Sequence, residues 1–200
     1  MKYVLFLILL ASINCFGQNY KTQIAEHRKK YIADFLEDKR SPLKQEDLQL
    51  LRFYDADSTF KVKANVQVIS NAPAFVMPVF TGAGKDYVKY ALLKMVINGK
   101  PVNLTVYRNV ALSKLPEYSD YLFLPFTDET NGKETYAGGR YIDLREKDFK
   151  DNTVIIDFNK AYNPYCAYGG GYACPKPPDE NHLLMAITAG EKQYAGEVKH

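Results

Sequence analysis

Tryptophan is absent from this chain of 200 residues, and cysteine occurs only three times. No Cys-x2-Cys spacing occurs, so no short zinc signature is present. There is no Gly-x-Ser-x-Gly, and the last serine is Ser119, which argues against ordinary serine hydrolysis. Charge of one sign is also lacking. The net charge is +3, too small to point to nucleic acid or an anionic membrane as partner. The one basic run, Arg28-Lys29-Lys30, lies on a predicted helix and reads as a solvated face. Beyond the first residues no segment is long and apolar enough to span a bilayer. No solenoid period, no βαβ rhythm and no linker divides the chain.

The chain starts with MKYVLFLILLASINCFGQ. Lys2 supplies a positive charge, the apolar run 4–11 comes next, and Cys15 and Gly17 are small residues before Gln18. This predicts a secretory signal peptide over residues 1–17, with export to the periplasm or the medium. A lipoprotein anchored through Cys15 is the alternative. Removal of residues 1–17 leaves 18–200, a length that suits one domain with a sizeable core.

Apolar residues Ile24, Tyr31, Ile32, Phe35 and Leu36 recur at helical spacing, which predicts a helix over 20–38. Ser41-Pro42 reads as the start of a second short helix over 43–50. The period then changes to two. Phe60, Val62, Ala64, Val66 and Val68 alternate with polar neighbours, as in a half-buried strand. Residues 75–80 contain Pro78 and predict an edge strand. Residues 87–97 and 102–110 flank Asn98-Gly99, a dipeptide that accepts positive φ and predicts a hairpin. Further strands are expected over 121–126, 136–144, 153–158 and 183–189. The pattern is mainly β: an antiparallel barrel-like or sandwich sheet with one or two N-terminal helices.

Two stretches carry candidate chemistry. The first lies in the irregular segment 159–181, which is long for a compact domain, and long loops tend to be functional. It contains most of CAYGGGYACPKPPDENH, residues 166–182, with His182 just past its end. Cys166 and Cys174 are the two cysteines left after the predicted cut, and an oxidising compartment favours a disulfide between them. Two other readings stay open. Cys166, Cys174 and His182 could hold zinc, or His182 could activate one thiol as a nucleophile. Four tyrosines fall in the segment, and a tyrosine offers both an apolar ring and a hydroxyl.

The second stretch is FTDETNGKETYAGGRYIDL, residues 126–144. With a strand over 136–144, Tyr136, Gly138, Arg140 and Ile142 share one face. An inward Arg140 would need a carboxylate partner, from among Asp128, Glu134 and Asp157. So held, it could clamp an anionic group on a ligand. A solvated charged hairpin is the plainer alternative.

The strings PFTDETNGKETYAGGRYIDL (125–144) and DFNKAYNPYCAY…YACPKPPDENHLLMAITAGEK (157–192) together resemble the bacterial domain-of-unknown-function family numbered 1684. The resemblance is strong over the last third of the chain. It implies a bacterial protein with a shared scaffold or site, and it brings no activity with it.

The expectation is therefore an exported single-domain protein. A small anionic or polar ligand would bind in a pocket formed by the 127–143 hairpin and the 159–182 loop, held by Arg140, Tyr141, Asn163 and Tyr165. A hydrolase using two of Asp128, Glu134, Asp157 and Glu180 is the rival, and a structural or partner-binding module is the third reading. No cofactor is expected, and no nucleic-acid partner.

Overall fold

A computed structural model describes the backbone of residues 2–199 and the side chains of residues 19–199. The side chains of the predicted signal peptide, Cys15 included, lie outside the described residues. Helix α1 runs Lys2–Glu37. Its described part buries Tyr20, Ile24 and Phe35 and leaves Leu36 exposed, so one stripe of the helix packs against the rest of the protein. Ser41 Oγ accepts from the Leu43 amide at 3.1 Å and closes a local turn. The next element is a 3-10 helix, Gln45–Leu50, shorter and tighter than the second helix expected from the sequence.

Eight strands come after it: β1 Lys61–Val68, β2 Phe75–Met77, β3 Lys85–Ile97, β4 Lys100–Asn109, β5 Tyr121–Asp128, β6 Arg140–Arg145, β7 Thr153–Asp157 and β8 His182–Leu183. Their order is β6-β5-β4-β3-β1-β7, antiparallel along this path, with β2 on β3 and β8 parallel to β5. The sheet curls into a half-barrel. The β3–β4 hairpin turns at Asn98 and Gly99, both at positive φ, 49° and 77°, as that dipeptide demands.

Alternate residues of the strands fill the barrel interior, with Leu93, Leu104, Val106, Leu122, Leu124 and Ile156 wholly buried. A second cluster, Met77, Tyr87, Tyr107, Phe123 and Tyr141, packs on the opposite face. A third joins α1 to the C-terminal region through Phe35, Leu48, Tyr168 and Tyr194.

The strand expected over 75–80 stops at Met77, before Pro78, and two others differ more. β6 begins at Arg140, because residues 130–135 fold into a tight turn in which the Thr130 carbonyl accepts from the amides of Lys133, Glu134 and Thr135. Asn131 stitches that turn, accepting from the Asp128 amide and donating to the Tyr136 carbonyl at 2.7 Å. The expected strand over 183–189 survives only as β8. Beyond it, Arg140 takes the carbonyls of Ile187, Ala189 and Glu191, and Asp128 takes the Ile187 amide. Backbone groups that a ladder would pair are satisfied there by side chains, so the segment is buried without being a strand.

Candidate functional site

The strands at the two ends of the sheet, β6 and β7, do not pair with each other. A cleft of about 1080 Å³ opens at this seam. Its walls come from Tyr141 and Asp143 of β6, Ile155 and Asp157 of β7, the 159–175 segment and the α1 face that carries Lys30 and Tyr31. The 127–143 and 159–182 segments meet here, where Tyr141 and Tyr162 exchange backbone hydrogen bonds of 2.9 and 3.0 Å.

Strand alternation sets the floor. Ile142 and Leu144 point into the barrel, so Tyr141 and Asp143 take the other face. Asp143 is ringed by protein yet reached by solvent. Its Oδ1 accepts from Tyr121 at 2.7 Å and from Tyr162 at 2.6 Å. Its Oδ2 has no hydrogen-bond partner among the described residues. Burial raises the Asp143 pKa above the usual carboxylate value, and the two phenol donors oppose that rise. Burial and the neighbouring carboxylate also push Tyr121 and Tyr162 well up, so both remain protonated donors.

The other tyrosines of the cleft are anchored by their hydroxyls. Tyr141 donates to the Pro175 carbonyl, Tyr165 to Asp38 at 3.0 Å and Tyr172 to the Arg40 carbonyl at 2.7 Å. Tyr31 donates to Glu191 at 2.9 Å. Behind it, Glu191 is wholly buried and also accepts from Tyr168 at 2.6 Å and the Asn163 amide at 2.8 Å. Burial raises its pKa to about 7 against these donors.

Basic side chains also line the cleft. Lys30, Lys147, Lys150 and Lys160 line the cleft, are exposed, and make no ion pair among the described residues. Several of the acidic groups are already engaged. Asp38 holds Arg40 and Tyr165, and Asp157 accepts from Tyr20 at 2.8 Å and from the Asn159 amide at 3.1 Å.

The residues singled out from sequence are dispersed. Tyr141 and Tyr165 line the cleft, whereas Arg140 and Asn163 lie beneath it, buried. Arg140 pairs with Asp128 at 2.8 Å and gives its other hydrogen bonds to backbone carbonyls; only its Nε is unbonded. Asn163 donates to the Lys192 carbonyl at 2.8 Å. Of the four candidate carboxylates, Asp157 alone lines the cleft. Asp128 is shut inside with Arg140, Glu134 is exposed near Lys192, and Glu180 bonds Lys89 and Tyr107. Cys166 and Cys174 form a disulfide with Cα atoms 6.4 Å apart, which leaves no thiolate for zinc or for nucleophilic attack. His182 Nδ1 bonds Thr127 Oγ1 at 2.9 Å.

Sequence reasoning did not pick out Tyr31, Asp143 or Glu191 as site residues. Alternation along β6 could have found Asp143, two positions from Tyr141. Nothing local marks Glu191, whose partners come from α1 and the 163–168 turn.

Fold and site together define a mainly-β half-barrel protein with a tyrosine-lined cleft at its open seam. The model of the family described as "Protein of unknown function (DUF1684)" matches residues 46–192, and the chain belongs to that family. The chain is also similar to the uncharacterized protein from gene locus rrnAC0354 of Haloarcula marismortui, solved by solution NMR. The two share 32% identity with a TM-score of 0.67, over 88% of this chain and 95% of that one. Comparison with curated proteins gives no match. Among the described residues, no helix is long and apolar enough to cross a membrane.

Proposed function

We propose that this is an exported protein that binds a small anionic ligand in the seam cleft. The observation that carries the reading is the set of exposed lysines, Lys30, Lys147, Lys150 and Lys160, that line the cleft without an ion pair among the described residues. Cationic groups along a concave, partly apolar site favour an anion and raise its local concentration. Export is supported by the sequence around Lys2 and the run 4–11, together with the Cys166–Cys174 bridge. A cut before Gln18 would spare the buried residues of the described part of α1, since Tyr20, Ile24 and Phe35 all lie beyond it.

The test is a panel of organic di- and tricarboxylates and phosphates, followed by thermal shift and by NMR of the cleft amides. Affinity should fall with salt and weaken at least several-fold in Lys147→Glu combined with Lys160→Glu. Unchanged affinity of every detected anion in that double variant would refute the proposal.

A further inference from the structure

We infer that the ligand is an acidic saccharide, a hydroxyl-bearing ring compound with carboxylate or phosphate substituents. This rests on the anion-binding reading of the cleft and narrows it. Three independent features of the cleft converge on such a molecule.

The first is the aromatic lining. Tyr31, Tyr141, Tyr162, Tyr165 and Tyr172 line the cleft, and each hydroxyl is bonded to a protein acceptor. Ring contacts brace them further: Tyr165 packs edge-on to Tyr172 at 5.3 Å, and Tyr141 edge-on to Tyr162 at 5.9 Å. These phenols are not free to serve a ligand as donors. Tyr141 is buried behind the others, while the half-buried Tyr31, Tyr162, Tyr165 and Tyr172 offer braced ring surface, which suits the apolar C–H face of a sugar ring and costs little ordering entropy on binding.

The second is Asp143. Both phenols at the floor bind its Oδ1, which leaves Oδ2 as an oriented acceptor open to the cleft. An acceptor calls for a donor on the ligand. A purely anionic molecule has none to give and would be repelled, whereas a hydroxyl beside an acid group satisfies Asp143 and the lysines together. The third is size. A cleft of about 1080 Å³ is at the upper end of small-molecule sites, and its exposed lysines come from α1, from residues 147–150 and from residue 160, elements other than the strand that carries Asp143. It fits an elongated ligand whose acid groups reach the rim while one ring lies over Asp143.

The probes are trigalacturonic acid, its neutral methyl ester, tricarballylate and a glutamate-rich peptide, titrated calorimetrically and by NMR into the full folded chain. Trigalacturonic acid should bind best and perturb Tyr162 and Asp143. Asp143→Asn turns the acceptor into a donor or a weaker acceptor and should cost about 10-fold or more in its affinity. Lys147→Glu, on the exposed rim where folding is not at stake, should also weaken it and should leave the methyl ester unaffected. If tricarballylate binds as tightly as the trisaccharide and ignores Asp143→Asn, the saccharide inference is overturned while the anion-binding cleft stands. Equal binding of acid and ester overturns the acidic character of the ligand. Preference for the peptide overturns the ligand class, and no binding by any anion sinks the inference and the anion-binding proposal together.

Discussion

Arg140 Nη2 lies 2.8 Å from Asp128 Oδ2, with both side chains wholly shut from water. The pair joins the β5–β6 turn to the C-terminal segment, because Asp128 Oδ1 also takes the Thr130 amide at 2.9 Å and the Ile187 amide at 3.2 Å. Breaking such a pair leaves one buried charge uncompensated, at a cost of roughly 3–5 kcal/mol. Arg140→Met should therefore lower stability by about that amount in urea denaturation, a fall in Tm of about 2–4 °C for each kcal/mol. Combining it with Asp128→Leu should lose less than the two single losses added, since the stranded charge goes too. Arg140→Met as mild as Lys192→Met, a change at the surface, would refute the structural role.

Glu191 makes stability depend on pH in an unusual direction. Its folded pKa is raised from 4.5 to about 7 by burial, so between these values the folded state holds more protons than the unfolded one. Stability must then fall as pH rises through that window and be recovered below it. The Asn163 amide, the hydroxyls of Tyr168 and Tyr31 and, least, the Arg140 charge limit the shift. The whole contribution is on the order of 3 kcal/mol, and Asp143, also raised, acts in the same direction. Denaturation at pH 5 and pH 8 should show the wild type weaker at pH 8. Glu191→Gln should shrink that difference to what Asp143 and the remaining groups supply. A pH response unchanged by Glu191→Gln would contradict the assignment.

The elements that were legible in the sequence are those whose backbone partners are local or strictly alternating. Asn98-Gly99 announces the β3–β4 hairpin because no other chemistry explains it, and Phe60 to Val68 shows its period without help. The start of β6 and the loss of a strand beyond Leu183 were not legible, because side chains settle them. Asn131, Asp128 and Arg140 supply the bonds that would otherwise come from a ladder. Arg140 was legible as an inward residue needing a carboxylate, yet not as one whose bonded donors all go to protein. The cleft is the hardest case. It depends on α1 crossing the seam, and periodicity tells which face of a helix is buried, not what that face approaches.

Gly190 tests how tightly the C-terminal segment is docked. It has φ +80°, and a Cβ there would stand 2.6 Å from the Phe158 carbonyl oxygen and 2.7 Å from that of Ala161. Gly171 has nearly the same φ, +82°, and open space around the same position. Left-handed strain alone costs roughly 1 kcal/mol for alanine, so Gly171→Ala should lose about that much. Gly190→Ala adds a clash with two rigid carbonyls between the Ala189 and Glu191 carbonyls that Arg140 holds, and should lose clearly more, about 3 kcal/mol. Equal losses by chemical denaturation would mean that the backbone there gives way easily.

The disulfide offers the last separation, between global stability and the shape of the cleft. Cys166 and Cys174 are eight positions apart, and closing so short a loop restrains the unfolded chain by about 2.5 kcal/mol. The bridge also fixes the two ends of the turn that carries Tyr172, whose hydroxyl reaches the Arg40 carbonyl at 2.7 Å. Replacing both cysteines by serine should lower the unfolding free energy by that increment, seen as a lower urea midpoint, and broaden the NMR signals of Tyr165 and Tyr172, while those of the β3–β4 hairpin stay sharp. Thiol titration of the unfolded, unreduced protein should find neither sulfur free. A midpoint that does not move, with broadened cleft signals, would show that the bridge holds the cleft without constraining the unfolded state. Reactive thiols at both positions would remove the bridge altogether, and with it the structural support for export.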